Sequence, residues 1–332
     1  IRREFGISPA DLDVFEYSVY PDFLNHCWDG PAEGKTRSKG GTDFLATAKP
    51  GGGKSTLGLF FATRMMEVNN ETVVWRGSPS RSEWLPLAPW ATVCLPRNVD
   101  VSARLEPKDP TRETIEVDIS DMCRDVKRYS NPVHLNKQVL EPGQFHVVYP
   151  DPRMQDCQAF YEDSSVRESG LEFTPDDPLN HWWFAWFLCR VEHGPHNWMT
   201  AIIDEIGELV PESAADDEYA TLPKIKALTK KWVDFRKYGL TVGAFGHTEI
   251  DIHNLLRHKM RWRISLPGSA NPTSAGSVVG FESVPMHSDI MSHENVGTAL
   301  IFNEQKFEKF KWPDFEDPFS QKLKVSLGSG GR

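Results

Sequence analysis

The 332-residue chain has no uninterrupted apolar run of about 18 residues, so no membrane-spanning helix is expected in it. No secretory signal is visible at its amino end, and the opening at Ile1 reads as that of a fragment or a processed product. Its cysteines, Cys27, Cys94, Cys123, Cys157 and Cys189, are scattered and never form a C-x-x-C pair. That speaks against a zinc site and for a reducing compartment, so the expected location is cytoplasmic. There is no internal repeat and no long low-complexity segment. Basic charge is scarce: 37 Lys and Arg face 47 Asp and Glu, a net charge of −10. This excludes a uniformly basic, nucleic-acid-coating surface but leaves room for a local basic face. The length suits one large α/β domain or two small ones.

What is present is concentrated at residues 48–56, Ala-Lys-Pro-Gly-Gly-Gly-Lys-Ser-Thr. Asp43–Thr47 ahead of this run reads as a buried strand. Behind it, Leu57, Phe60, Phe61 and Met65 recur at helical spacing. Strand, glycine-rich turn, Lys-Ser and helix together form the context of a phosphate-binding loop. Glycines let backbone N–H groups curl around phosphate oxygens, and the helix directs its positive end at the same anion. Pro50, Gly51, Gly52, Gly53, Lys54, Ser55 and Thr56 are the expected nucleotide-binding residues. Lys54 is expected to reach the β- and γ-phosphates, and Ser55 to hold Mg²⁺. Ala48 stands where such loops carry their first glycine.

Further along, 72–75 and 91–95 read as strands, and 144–149, ended by Pro150, as a return to a central sheet. Between them, 97–143 is rich in charge and turn residues and reads as an inserted side module. Within it, Thr114–Ile119 alternates like an exposed strand. Residues 181–191 are apolar nearly all round, predicting a helix buried on both sides and stopped at Gly194. Its aromatic residues read as core. Residues 1–40 read as an N-terminal extension, 41–320 as the main domain, and 321–332 as a C-terminal tail ending in Gly and Ser.

A second constellation lies far from the first. Met199–Ile203 is a short apolar strand that ends in Asp204-Glu205. Asp204 is the expected metal carboxylate and Glu205 the acid that polarises an attacking water. A helix predicted over 222–238 carries Ile225, Leu228, Trp232 and Phe235 on one face. Lys226, Lys230 and Lys237 lie on the other, as a solvated face or one turned to a neighbouring subunit or DNA. The strand 240–246 then ends in His247-Thr248, with His247 the candidate for sensing the terminal phosphate. A basic run follows, with Arg257, Arg261 and Arg263. An arginine donated to a neighbouring site would come from this run or from Arg236.

This order of parts resembles the HerA/FtsK family of P-loop motor ATPases. The resemblance is carried by the loop at 48–56, the strand ending in Asp204-Glu205 and the Arg236-Lys237-Tyr238-Gly239 helix end. It continues through the strand 240–246 with its polar end and the paired segments 297–303 and 307–313, which look like a terminal hairpin. His247 stands where the family carries glutamine. The resemblance implies an α/β fold of the RecA-like type, a mainly parallel sheet with helices on both faces. It also implies ATP and Mg²⁺ as cofactors and ATP hydrolysis, with Glu205, Lys54, His247 and Arg236 at the chemistry and Ser55 and Asp204 at the metal. Partners implied are further copies of the chain in a hexameric ring and double-stranded DNA, as in genome-packaging ATPases. The location would then be host cytoplasm or virion. A motor acting on protein is the alternative, and a small-molecule kinase or a weakly hydrolysing structural subunit are more distant ones.

Overall fold

A computed structural model describes residues 43–107, 109, 111–166, 171–268, 294–304, 307–315 and 321–328. The expected N-terminal extension lies outside the described residues. The strands are β1 (Phe44–Thr47), β2 (Thr72–Arg76), β3 (Ala91–Pro96), β4 (Val101–Pro107), β5 (Ile115–Val117), β6 (Asp125–Tyr129), β7 (Phe145–Val148), β8 (Met199–Ile203), β9 (Leu240–Gly246), β10 (Trp262–Ser265), β11 (Thr298–Phe302), β12 (Phe307–Lys311) and β13 (Gln321–Leu327). Ten of them form one sheet in the order β12-β11-β10-β1-β9-β8-β2-β7-β3-β6. Every neighbouring pair from β10 to β6 is parallel. The edge hairpin, β11 and β12, is antiparallel.

Alternation within the strands decides what covers each face. Phe44, Ala46, Val73, Trp75 and Ile202 point into one apolar cluster, with Leu57, Phe60 and Phe61 of helix α1 (Lys54–Asn69). Leu45, Val74, Ala201 and Ile203 point into the other, with helices α2 (Trp182–His193) and α3 (Thr221–Phe235). The sheet is therefore sandwiched, as a parallel sheet must be. Every residue of α2 from Trp182 to Val191 is buried, which accounts for its lack of a polar face. Its rings meet edge to face, Trp182 to Trp183 at 5.1 Å and Trp183 to Trp186 at 5.3 Å.

One strand, β9, separates the loop-bearing β1 from β8, the strand that ends in the acid pair. This is the RecA-like P-loop arrangement. The connections place the carboxyl ends of β1, β8 and β9 side by side, in register through Ala46↔Phe245, Thr47↔Gly246 and Ile203↔Ala244.

Two expectations about the chain's organisation need correction. Residues 97–143 are not wholly a side module, because β6 pairs in parallel with β3 and extends the main sheet. Residues 321–332 are not simply a tail, because β13 pairs antiparallel with β4 along its whole length. Leu323 and Val325 alternate inward and join the core that holds Trp84 and Leu87. β4, β5 and β13 form a small second sheet. Removing Leu323 should therefore act as a core truncation. Leu323→Ala is expected to cost about 2–4 kcal/mol in denaturant unfolding, whereas a dispensable tail would show no change.

Candidate nucleotide-binding site

At the carboxyl end of β1 the chain turns through Gly51 and Gly53, at φ +81° and +88°, the left-handed region in which glycine is unstrained. Gly53 is also the residue before α1. No side chain caps that helix, and its first turn carries no acid, so its leading N–H groups are left for an anion from outside. Gly52 is required for a different reason. A Cβ there would lie 2.8 Å from the Ala48 Cβ and 3.1 Å from the Lys49 carbonyl oxygen. Ala48 itself is fully buried, and its N–H reaches the Gly246 carbonyl at 3.3 Å. The methyl that replaces the usual first glycine thus occupies room that only a glycine at 52 leaves open.

Lys54 is 8% exposed and runs back under the loop. Its Nζ donates to the Ala48 carbonyl at 3.2 Å and to His247 Nδ1 at 3.0 Å, and lies 3.7 Å from Glu205 Oε1. His247 Nε2 lies 3.2 Å from the same Glu205 oxygen. An ammonium can only donate, so Nδ1 accepts and the ring proton belongs on Nε2, facing Glu205. Glu205 adopts φ +50° and ψ +61°, a left-handed conformation costly for a residue with a Cβ. It opens the short helix Ile206–Leu209, so its carboxylate turns back toward Lys54 rather than along the strand.

Asp204 is buried behind this group. Its Oδ1 accepts the Glu205 N–H at 3.1 Å. Burial, reinforced by Glu83 nearby, pushes the carboxyl up to about 6. Ser55 and Thr56 line a cleft of about 250 Å³ with Ser80, Ser82 and Glu83. Mg²⁺ takes one or two protein oxygens and completes its shell with water and phosphate. Asp204 and Ser55 supply hard oxygen donors of the right kind, and Glu83 Oε2, buried without a hydrogen-bond partner, adds an unspent acceptor on the same side.

Of the residues singled out by sequence, Lys54, Glu205 and His247 meet, and Asp204 lies directly behind them. Arg236 does not join them. α3 leads into β9 at that strand's amino end, so Arg236 sits beside Asp43 and Arg261, at the edge opposite the loop. Within one chain it takes no part in the site. Of the basic run, Arg263 is buried, ion-paired to Glu249 at 2.8 Å and bonded to the Met260 and Arg257 carbonyls, a structural role. Lys226 and Lys230 of α3 and the following Lys237 are exposed.

Sequence reasoning missed two neighbours. Arg81, after β2, has NH1 3.9 Å from Asp204 Oδ2 and 3.8 Å from Glu205 Oε1. Its signal was its place in the polar run 78–83 just beyond the carboxyl end of a central strand, where ligands bind in such sheets. Trp312 donates its indole N–H to Thr56 Oγ1 at 3.2 Å, and its ring, with Val296, closes over Gly53. Nothing local in the sequence ties Trp312 to the loop.

No family model and no curated protein matches the chain. Among solved structures it is similar to the genome packaging NTPase B204 from Sulfolobus turreted icosahedral virus 2, determined with sulfate, at 12% identity and TM-score 0.46, over 83% of this chain and 98% of that one. It is also similar to VirB4 of Thermoanaerobacter pseudethanolicus, at 11% identity and TM-score 0.42, over 84% and 91%. EssC of Geobacillus thermodenitrificans (ATPases 2 and 3) matches at 10% identity and TM-score 0.40, over 83% and 40%. Likenesses of this depth carry no functional argument, and the reading of the site rests on its own geometry.

Two outcomes follow from this geometry. Gly52→Ala is expected to weaken nucleotide binding and lower the melting temperature, and adding Ala48→Gly should restore part of both by removing the methyl it strikes. The second concerns pH. Asp204 holds its proton to higher pH when folded than its ordinary 3.8. Its contribution to stability is thus fully present below about pH 4 and lost as pH rises through about 6. Asp43, half-buried and accepting hydrogen bonds from the Trp232 indole and the Val242 N–H, is pushed by desolvation up to about 7 and acts in the same direction. In nucleotide-free protein, Asp204→Asn should flatten the fall in unfolding free energy between pH 5 and 7 by roughly 1 kcal/mol. Parallel curves for the two proteins would remove the burial argument.

Proposed function

We propose that the chain is a Mg²⁺-dependent ATPase whose hydrolysis drives a ring-forming motor on double-stranded DNA. The observation that supports hydrolysis is the meeting of Lys54, His247 and Glu205 at the carboxyl ends of adjacent parallel strands, with Asp204 behind them. The glycine loop and the uncapped start of α1 would hold the phosphates. Mg²⁺, held by Ser55 and Asp204, would supply charge neutralisation at the β- and γ-phosphates. Lys54, which now bonds the Ala48 carbonyl and His247, would exchange those partners for phosphate oxygens. Glu205 would accept a hydrogen bond from the attacking water and hold it in line. His247, bonded to both Lys54 and Glu205, would report to the glutamate whether the lysine is occupied by phosphate.

The motor reading is supported by the RecA-like strand order together with the motif resemblance to HerA/FtsK ATPases. DNA as the track is consistent with exposed Lys226, Lys230, Arg236, Lys237 and Arg261 on a chain that is otherwise acidic. Arg236 and Arg261 lie near each other beside Asp43, at the edge away from the nucleotide loop.

The test is ATP turnover with and without duplex DNA at several protein concentrations. Glu205→Gln is expected to lower turnover by about 10²–10⁴-fold while retaining ATP binding. Lys54→Ala should weaken binding itself. Turnover unchanged in Glu205→Gln would remove that residue from the chemistry. Turnover indifferent to DNA would turn the proposal toward a protein-directed motor.

A further inference from the structure

The segment after β2 brings a second cation to the candidate site. Arg81 is anchored at both backbone and side chain. Its N–H reaches the Ser78 carbonyl at 3.2 Å, and Val325 of β13 donates to the neighbouring Pro79 carbonyl at 3.0 Å. Its NH2 lies 2.6 Å from Glu208 Oε1, while the other Glu208 oxygen is held by Arg76 at 3.0 Å. Arg76 in turn donates to the Asp204 main-chain carbonyl at 2.7 Å. Glu208 is thus a fixed pivot, clamped between a buried arginine and Arg81.

From this pivot the Arg81 NH1 faces both Asp204 and Glu205 at just under 4 Å, longer than a committed hydrogen bond. Its Nε is buried without a hydrogen-bond partner. Burial opposes its charge, but Glu208, Asp204 and Glu205 outweigh that and hold its pKa above the ordinary value. The neighbouring residues Ser80, Ser82 and Glu83 line the cleft that begins at Ser55. A guanidinium with unspent donors therefore stands beside the carboxylates proposed for the metal and the water. A divalent cation arriving at Asp204 would compete with it there, whereas a terminal phosphate would draw it.

Building on the ATPase reading, we propose that Arg81 is a terminal-phosphate ligand supplied by the same chain. Without nucleotide it stands in for the metal cation at Asp204 and Glu205. With magnesium-nucleotide bound it stays pivoted on Glu208 and turns its free N–H groups to the terminal phosphate. A subunit so equipped neutralises the charge that develops on that phosphate without an arginine from a neighbour.

The experiment is equilibrium binding of ADP and of ATPγS, each with Mg²⁺, to the full chain and to Arg81→Ala, Arg81→Lys, Glu208→Gln and Lys54→Ala, with melting temperatures measured alongside. Arg81→Ala is expected to lose about tenfold in ATPγS affinity while ADP stays within about twofold. Arg81→Lys should recover part of the loss, and Glu208→Gln should show the same selectivity, more weakly. The Mg²⁺ concentration that half-saturates ATPγS binding should fall in Arg81→Ala, because the competing cation is gone. Equal losses for both nucleotides with a lowered melting temperature would make Arg81 a brace for its loop and overturn the inference. So would no change in either affinity while Lys54→Ala binds poorly. If Lys54→Ala binds both nucleotides normally, the nucleotide-site reading itself falls.

Discussion

A buried ammonium sets the terms for the rest of this molecule. Under the glycine loop the Lys54 Nζ needs oxygen and nitrogen acceptors in place of water, and three strands bring them. β1 delivers the Ala48 carbonyl, β9 delivers His247 and β8 delivers Glu205. For three carboxyl ends to meet at one atom, the strands must be parallel, adjacent and in fixed register. That requires crossovers between them and helices over both faces of the sheet. The two apolar clusters and the largely apolar α2 follow from this demand, since a parallel sheet with an open face would be unstable.

The site is also a balance of charges in little space. Two cations, Lys54 and Arg81, face Asp204, Glu205 and Glu208, and Glu83 lies close enough to Asp204 to raise its carboxyl. Asp204 sits at the back with its proton held more tightly than usual, while Glu205 is nearer the opening and strained in its backbone. The two adjacent acids thus have different surroundings although the sequence sets them side by side. Arg76, buried below them, fixes the peptide that joins the strand to the pair and ties it to the segment after β2.

Much of this was legible from local pattern. The loop at 48–56 and the strand ending in Asp204-Glu205 could be read because each combines an apolar run with an abrupt change to small or acidic residues. The strand 240–246 was legible from end to end, and α2 by its lack of any polar face. What escaped depended on partners distant in the chain. The alternation of Leu323, Val325 and Leu327 was visible, but no sequence rule said that β4 would be its partner. Trp312 reaches Thr56 only because the edge hairpin brings it there. Arg236 lies just before a parallel strand, so topology alone sets it at the amino edge, away from the loops that follow the strands and from the site of its own chain.

The contact between Ala48 and the backbone at Gly52 has a consequence for how such chains diverge. The two positions share one small volume, and a methyl at the first has taken it. With the methyl at 48, glycine at 52 becomes obligatory; a glycine at 48 would relieve that contact, but the Lys49 carbonyl oxygen would still crowd a side chain at 52. The burden of being glycine thus falls on the second position, and a fixed pattern that demands glycine at the first passes over chains that carry the methyl there.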